Sequence, residues 1–142
     1  LIFDELRRGR ARFGWSDDDL FALRSKKRAH LLTEWEESCW KHSKFLLDVN
    51  PGDFLIYVNV PASPICTVAV VTGSYMFTEA WDPHFKGDRR HCMPCEYIGA
   101  FDWNCSLIPQ DLKKSLKAPR SHWSLKRVKR EFGQLLNYFQ VN

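Results

Sequence analysis

Val49-Asn50-Pro51-Gly52-Asp53-Phe54-Leu55-Ile56-Tyr57-Val58, followed by Cys66-Thr67-Val68-Ala69-Val70-Val71-Thr72-Gly73, is the stretch that decides the fold. Pro51-Gly52-Asp53 is turn chemistry, because Pro presets φ and Gly accepts a positive φ. The apolar, β-branched and aromatic run after it predicts a strand over 54–60. A second β-branched run predicts a strand over 65–72, and Pro61-Ala62-Ser63-Pro64 between them is a loop by composition.

Upstream, Arg10-Ala11-Arg12-Phe13 alternates polar with apolar and predicts a first strand within residues 6–15. Ser16 opens Ser-Asp-Asp-Asp, a capping box with Asp19 in the place of the usual Glu, and three acids suit the positive end of a helix. Leu20, Leu23, Leu31, Trp35 and Cys39 share one helical face, with Ser25-Lys26-Lys27-Arg28 as a point where the helix can split. That pattern stops near Ser43, and Glu34, Glu36 and Glu37 are expected to face solvent. Trp35 and Phe54 are expected in the core.

Downstream, Ser74 to Thr78 extends the second strand past Gly73 through a bulge. Residues 82–88 read as loop and 90–98 as strand, where Pro94 implies an edge or a bulge. Ile108-Pro109-Gln110-Asp111 starts a short helix through Leu116. Trp123 and Leu125 suggest a closing strand, and Phe132, Leu135, Leu136 and Phe139 a C-terminal helix.

With 142 residues and 44% hydrophobic content, the chain is expected to fold as one domain with a real core and not to be disordered. No apolar run reaches the roughly 18–20 residues that span a bilayer, so no membrane is expected. The sequence starts without Met and carries no signal-peptide pattern, which leads us to expect a piece of a longer polypeptide. Net charge is only +4, yet eight Lys or Arg and no acid lie between Lys113 and Arg130. A second basic cluster is Arg7, Arg8, Arg10 and Arg12. Such patches attract polyanions, and each alone also reads as a solvated face.

Five cysteines at irregular spacing do not resemble a secreted disulfide framework, so a reducing cytoplasm is expected. Cys92-Met93-Pro94-Cys95 is half a zinc site at most, with Cys105, His84 and His122 as the conceivable completing ligands. Its position in a strand favours small buried thiols, so neither a metal nor another cofactor is expected.

No catalytic constellation stands out: there is no nucleophile elbow, phosphate-binding glycine loop or zincin motif. Aromatics are abundant, with six Trp, four Tyr and ten Phe. Trp15, Trp40, Tyr75, Phe77, Trp81 and Trp103 sit beside turns or element ends, where stacking on a nucleobase and core packing are both available to them.

Taken in order, Phe13-Gly14-Trp15-Ser16, a helical stretch, Pro51-Gly52-Asp53-Phe54-Leu55-Ile56-Tyr57 and the strand ending Val71-Thr72-Gly73 resemble the PUA-like superfamily, in particular its EVE and YTH domains. The resemblance covers about residues 8–125. Residues 91–97 and 112–117 look like the end region of such barrels fused to prokaryotic restriction and defence nucleases. The resemblance implies an α+β fold built on a twisted antiparallel β-barrel with flanking helices, as a single domain over 1–142 whose residues 126–142 are a C-terminal helix or linker. It also implies a specificity module that captures a base, quite plausibly a modified one, in an aromatic pocket. Carried over, the pocket is Trp15, Ser16, Trp40, Tyr75, Phe77 and Trp81. The loop from Thr78 to Arg90 and the CxxC depart from the family pattern.

The function expected is therefore nucleic-acid binding without catalysis, with DNA ahead of RNA, methylated or hydroxymethylated bases included. A base would swing out of the duplex into the pocket while Arg7, Arg8, Arg10, Arg12, Arg89, Arg90, Lys113, Lys114 and Lys117 hold phosphates. Cleavage would belong to a fused or associated nuclease or ATPase effector. Two rivals are a small metal-dependent nuclease using the His84–His91 loop with Asp88, and a protein-interaction module.

Overall fold

The computed structural model describes residues 2–14, 18–77, 91–117 and 129–141. Along the chain run α1 (Ile2–Arg7), β1 (Arg10–Phe13), α2 (Leu20–Arg28), α3 (Glu34–Ser43), a 3-10 turn (Lys44–Asp48), β2 (Phe54–Val58), β3 (Ile65–Val71), β4 (Met76–Phe77), β5 (His91–Asp102), α4 (Gln110–Leu116) and α5 (Lys129–Val141). The class is α+β, with an antiparallel sheet and several helices. Among the described residues the sheet order is β1-β5-β3-β2, with β4 also on β5. Trp15, Ser16, Trp81, Arg89 and Arg90, the loop residues His84 and Asp88, and the expected strand at Trp123 and Leu125 lie outside the described residues.

The chain packs as two compact units, Leu1–Leu55 with Ala69–Tyr97, and Ile56–Val68 with Ile98–Asn142. In the first, the turn at 50–53 forms as its residues dictate. Gly52 takes a φ of +95°, Asn50 N–H donates to the Asp53 carboxylate at 2.8 Å, and Asp53 N–H donates to Asn50 O at 3.0 Å. Gly52 N–H then bonds Val71 O and Val71 N–H bonds Asp53 O, both at 2.8 Å, which fastens the start of β2 to the end of β3. Phe54 departs from expectation: at 42% exposure it is a surface residue.

Two antiparallel partners meet the start of β5. β1 runs with Arg10 opposite Pro94 and Phe13 opposite His91, while β4 sets Met76 opposite Cys92 and Phe77 opposite His91. Because β1 and β3 flank β5 on opposite sides, β4 follows β3 along one edge of β5, and Thr72 to Tyr75 interrupt that edge. The interruption explains how Pro94, for which the sequence implied an edge or a bulge, is tolerated in a strand with neighbours on both sides. A strand residue points its N–H and C=O the same way. Pro94 O accepts from Thr72 N–H at 2.9 Å, so its missing N–H faces the break between β3 and β4. Gly73 lies against the proline there, and a Cβ on it would stand 2.9 Å from Pro94 Cγ.

The helical stretch splits in two. Asp19, three residues beyond the expected Ser16, caps α2 by accepting Phe21 N–H at 3.0 Å. His30 takes a φ of +56°, α2 having ended at Arg28. Thr33 then opens α3 with a full capping box, its hydroxyl accepting Glu36 N–H and the Glu36 carboxylate accepting Thr33 N–H, both at 3.2 Å. The break rotates the apolar stripe out of phase. Leu20, Leu23 and Cys39 are buried, while Leu31 and Trp35, expected on the same inner face, are exposed, Trp35 to 68%. Lys26 to Glu36 (2.7 Å) and Lys27 to Glu37 (2.9 Å) tie the two helices together. The first of these pairs raises the Lys26 pKa and lowers that of Glu36.

The second unit has its own core of Cys66, Val68, Phe101, Ile108, Leu112, Leu116 and Leu135. Pro109 occupies the position just before α4, whose Leu112 and Leu116 are one turn apart on the buried face. Half-buried Phe132 and Leu136 of α5 pack on the same core, as their helical spacing predicts. Among the described residues no helix is long and apolar enough to cross a membrane.

Candidate functional site

Of the six residues expected to line a base pocket, Tyr75 and Phe77 come together around His91. Tyr75 lies just before β4 and Phe77 within it, while His91 opens β5 directly opposite Phe77. The Tyr75 hydroxyl accepts Leu20 N–H, at the start of α2, at 3.2 Å and stands 2.6 Å from His91 Nδ1. Burial pushes the Tyr75 pKa up to about 12, so its oxygen keeps its proton; already accepting from Leu20, it donates that proton to Nδ1. Nδ1 is therefore the acceptor nitrogen of this imidazole, an assignment made from the hydrogen-bond pattern. Phe77 and Tyr75 lie 5.6 and 5.7 Å from the His91 ring, Phe21 meets Tyr75 edge-on at 5.5 Å, and the Arg24 guanidinium lies over the Phe21 ring at 5.1 Å. His91 is 0% exposed and Tyr75 6%, so this pair is interior, with Phe77 half-buried beside it and Phe21 exposed at its outer side.

Trp40 stands apart from that cluster. It lines an open depression of about 560 Å³ together with Lys27, Glu37, Ser38, Lys41, His42 and Lys44. Glu37, Trp40, Lys41 and Lys44 are spaced i, i+3, i+4 and i+7, which puts them on one face of α3 and its 3-10 extension. Lys27 reaches in from α2, with its ammonium 3.0 and 2.9 Å from the two Glu37 carboxylate oxygens. Among the described residues the lining is thus a half-buried indole with three lysines, a histidine, a serine and one carboxylate. Chemically, such a surface takes a flat ring on the indole and an anion on the lysines. Sequence reasoning named Trp40 alone here. The i, i+3, i+4, i+7 spacing was the available signal, because that stripe normally carries apolar residues into a core.

The expected phosphate ligands divide. Arg7 and Arg8 are exposed, and the Arg7 guanidinium lies over the rings of Phe3 (5.8 Å) and Tyr97 (5.0 Å). Arg10 and Arg12 both turn to the buried carboxylate of Glu5: Arg10 Nε bonds Oε2, and Arg12 Nη2 is 3.6 Å from Oε1. Arg12 is only 8% exposed, so it neutralises an interior acid and is not displayed to a ligand. In the second unit Lys114 is exposed and Lys113 half-buried on α4, and exposed Lys117 directly follows the helix. Lys117 Nζ sits 4.7 Å from the centre of the Trp103 ring, whose N–H donates to Asn59 Oδ1 at 3.0 Å.

Cys92 and Cys95 are both buried thiols whose pKa values burial pushes up, that of Cys95 to about 11. Their odd spacing along β5 sets them on opposite faces of the pleat, so the CxxC does not present two sulfurs to one ion. Among the described residues no group of three or more His, Cys, Asp or Glu is arranged to hold a metal. His91, which the nuclease alternative would have used as a ligand in the 84–91 loop, opens β5 and is a core residue.

The fold and this surface define an α+β protein with a cationic, indole-lined depression on α2 and α3. Compared with known proteins, the chain matches no family model, no curated protein and no solved structure.

Proposed function

We propose that the chain binds nucleic acid, with an unpaired base stacked on Trp40 and neighbouring phosphates held by Lys27, Lys41 and Lys44. The observation that carries this reading is the seating of an indole and three lysines around one open depression. Neutral apolar ligands would gain nothing from the lysines, and a bare anion nothing from the indole. A nucleotide uses both: stacking is worth roughly 1–3 kcal/mol per base, and phosphate contacts set position. Exposed Arg7 and Arg8 in the same unit, and Lys114 and Lys117 in the other, offer further backbone contacts of their own. The PUA-like resemblance, with a flipped and modified base as ligand and a defence effector as partner, belongs to this proposal and sets the choice of oligonucleotides.

Fluorescence anisotropy with single- and double-stranded DNA and RNA, carrying unmodified, methylated or hydroxymethylated bases, tests it at two salt concentrations. Affinity is expected to fall steeply with salt as counterions are released. Trp40→Ala is expected to weaken single-strand binding by about tenfold. Binding that is insensitive to salt and to Trp40→Ala refutes the proposal. A second reading, a protein-binding module, is favoured by the exposure of Leu31 and Trp35 at the junction of α2 and α3; an apolar interface there responds weakly to salt.

A further inference from the structure

We infer that Glu37 makes the Trp40 depression selective for an unpaired guanine. The inference rests on the nucleic-acid reading above and names the base that site prefers.

Among the described residues lining the depression, Glu37 is the one carboxylate. It precedes Trp40 by three positions on α3, which puts the two side chains side by side on one helix face. A base lying flat on the indole therefore turns one edge toward this carboxylate. Both carboxylate oxygens accept from Lys27 Nζ, at 3.0 and 2.9 Å, on the side that faces between them, so a base edge that takes both oxygens displaces this half-exposed ammonium. Both side chains of the pair are about half exposed, so an incoming edge can reach them.

A carboxylate only accepts, and that property ranks the bases. Guanine presents N1–H and N2–H₂ side by side on its Watson–Crick edge, two parallel donors that match two carboxylate oxygens. Adenine and cytosine present one amino group beside a ring nitrogen whose lone pair faces the acid. Thymine and uracil present one N–H between two carbonyl oxygens, so two lone pairs face it. Guanine comes first and thymine or uracil last, because buried or crowded acceptors opposite an acceptor are penalised. In a duplex this edge is already paired, so the ligand is a single strand, a loop or a flipped guanine.

Lys27, released from the acid, is then left as a cation for a neighbouring phosphate of the strand.

The test uses a ten-nucleotide oligothymidylate and the same strand with one central guanine, inosine or N1-methylguanine, measured by anisotropy with the whole chain. The guanine strand is expected to bind about tenfold more tightly than the all-thymine strand. Inosine, which lacks the N2 amino group, is expected to lose part of that gain, and N1-methylguanine most of it. In Glu37→Gln the guanine-to-thymine ratio is expected to collapse to about one, whatever the absolute affinity does. A wild-type ratio near one, a ratio that survives Glu37→Gln, or N1-methylguanine binding as well as guanine overturns the role of Glu37. If Trp40→Ala leaves binding of the all-thymine strand unchanged, the nucleic-acid site itself is wrong, which separates the two failures.

Discussion

Replacing Tyr75 by Phe deletes one oxygen and changes the shape of the interior by almost nothing. That oxygen accepts Leu20 N–H at 3.2 Å and donates to His91 Nδ1 at 2.6 Å, and His91 has no exposure to solvent. Each buried partner left without its bond costs about 1–3 kcal/mol, so Tyr75→Phe is expected to destabilise by about 3 kcal/mol. For a chain of this size that lowers the thermal midpoint by about 6–12 °C. The pH profile gives a second, independent reading. Burial raises the Tyr75 pKa from its ordinary 10 to about 12, so its contribution is fully present below pH 10 and is lost as pH climbs through 12. A rise of about two units corresponds to about 3 kcal/mol. The gap between wild type and Tyr75→Phe is therefore expected to be full at pH 8 and to close toward zero by pH 12. Burial also raises the Cys92 and Cys95 pKa values, but those thiols are common to both proteins and cancel in the difference. Urea unfolding followed by far-UV circular dichroism at pH 8, 10 and 11.5 measures it. A cost below 0.5 kcal/mol at pH 8 refutes the bond network, and a gap constant over the whole pH range refutes the burial of the hydroxyl.

Gly73→Ala is expected to cost about 1–3 kcal/mol, because the new methyl would stand 2.9 Å from Pro94 Cγ. Pro94→Ala in that background is expected to recover much of the loss, seen as a coupling energy of about 1 kcal/mol in a double-mutant cycle of denaturant midpoints; purely additive effects would contradict the packing described. Glu5→Gln removes the acid that faces Arg10 and the buried Arg12, with an expected loss of about 3 kcal/mol in the same assay. An unchanged midpoint for Glu5→Gln would mean that the arginines do not depend on it.

Local chemistry made the turn and the strands legible. Pro51, Gly52 and Asp53 carry their conformations in their own covalent structure, and the β-branched run of β3 is buried almost throughout, as such runs are. The capping box was found three residues early at Ser16, since any of several acids can cap and only the packing of Leu20 and Leu23 chooses among them. Trp35 was misread for a related reason. Helical periodicity was counted across a break at His30, and once the chain turns there the phase restarts, leaving Trp35 and Leu31 outside.

The site was less legible than the fold, because ring-rich sequence does not say which rings face water. Tyr75 and Phe77 are drawn inward by a histidine fourteen to sixteen positions away, and Arg12 by an acid on α1, pairings that no local pattern encodes. By itself, then, the sequence determined the short-range features: turn, caps, strand runs and the presence of cationic and aromatic side chains in excess. Only the tertiary structure decided which of those side chains satisfy one another inside and which, like half-buried Trp40 and the lysines beside it, line an open surface depression. The physical reason is that burial is decided by partners distant in sequence, through desolvation and hydrogen bonding, whereas turns and caps are settled within four residues.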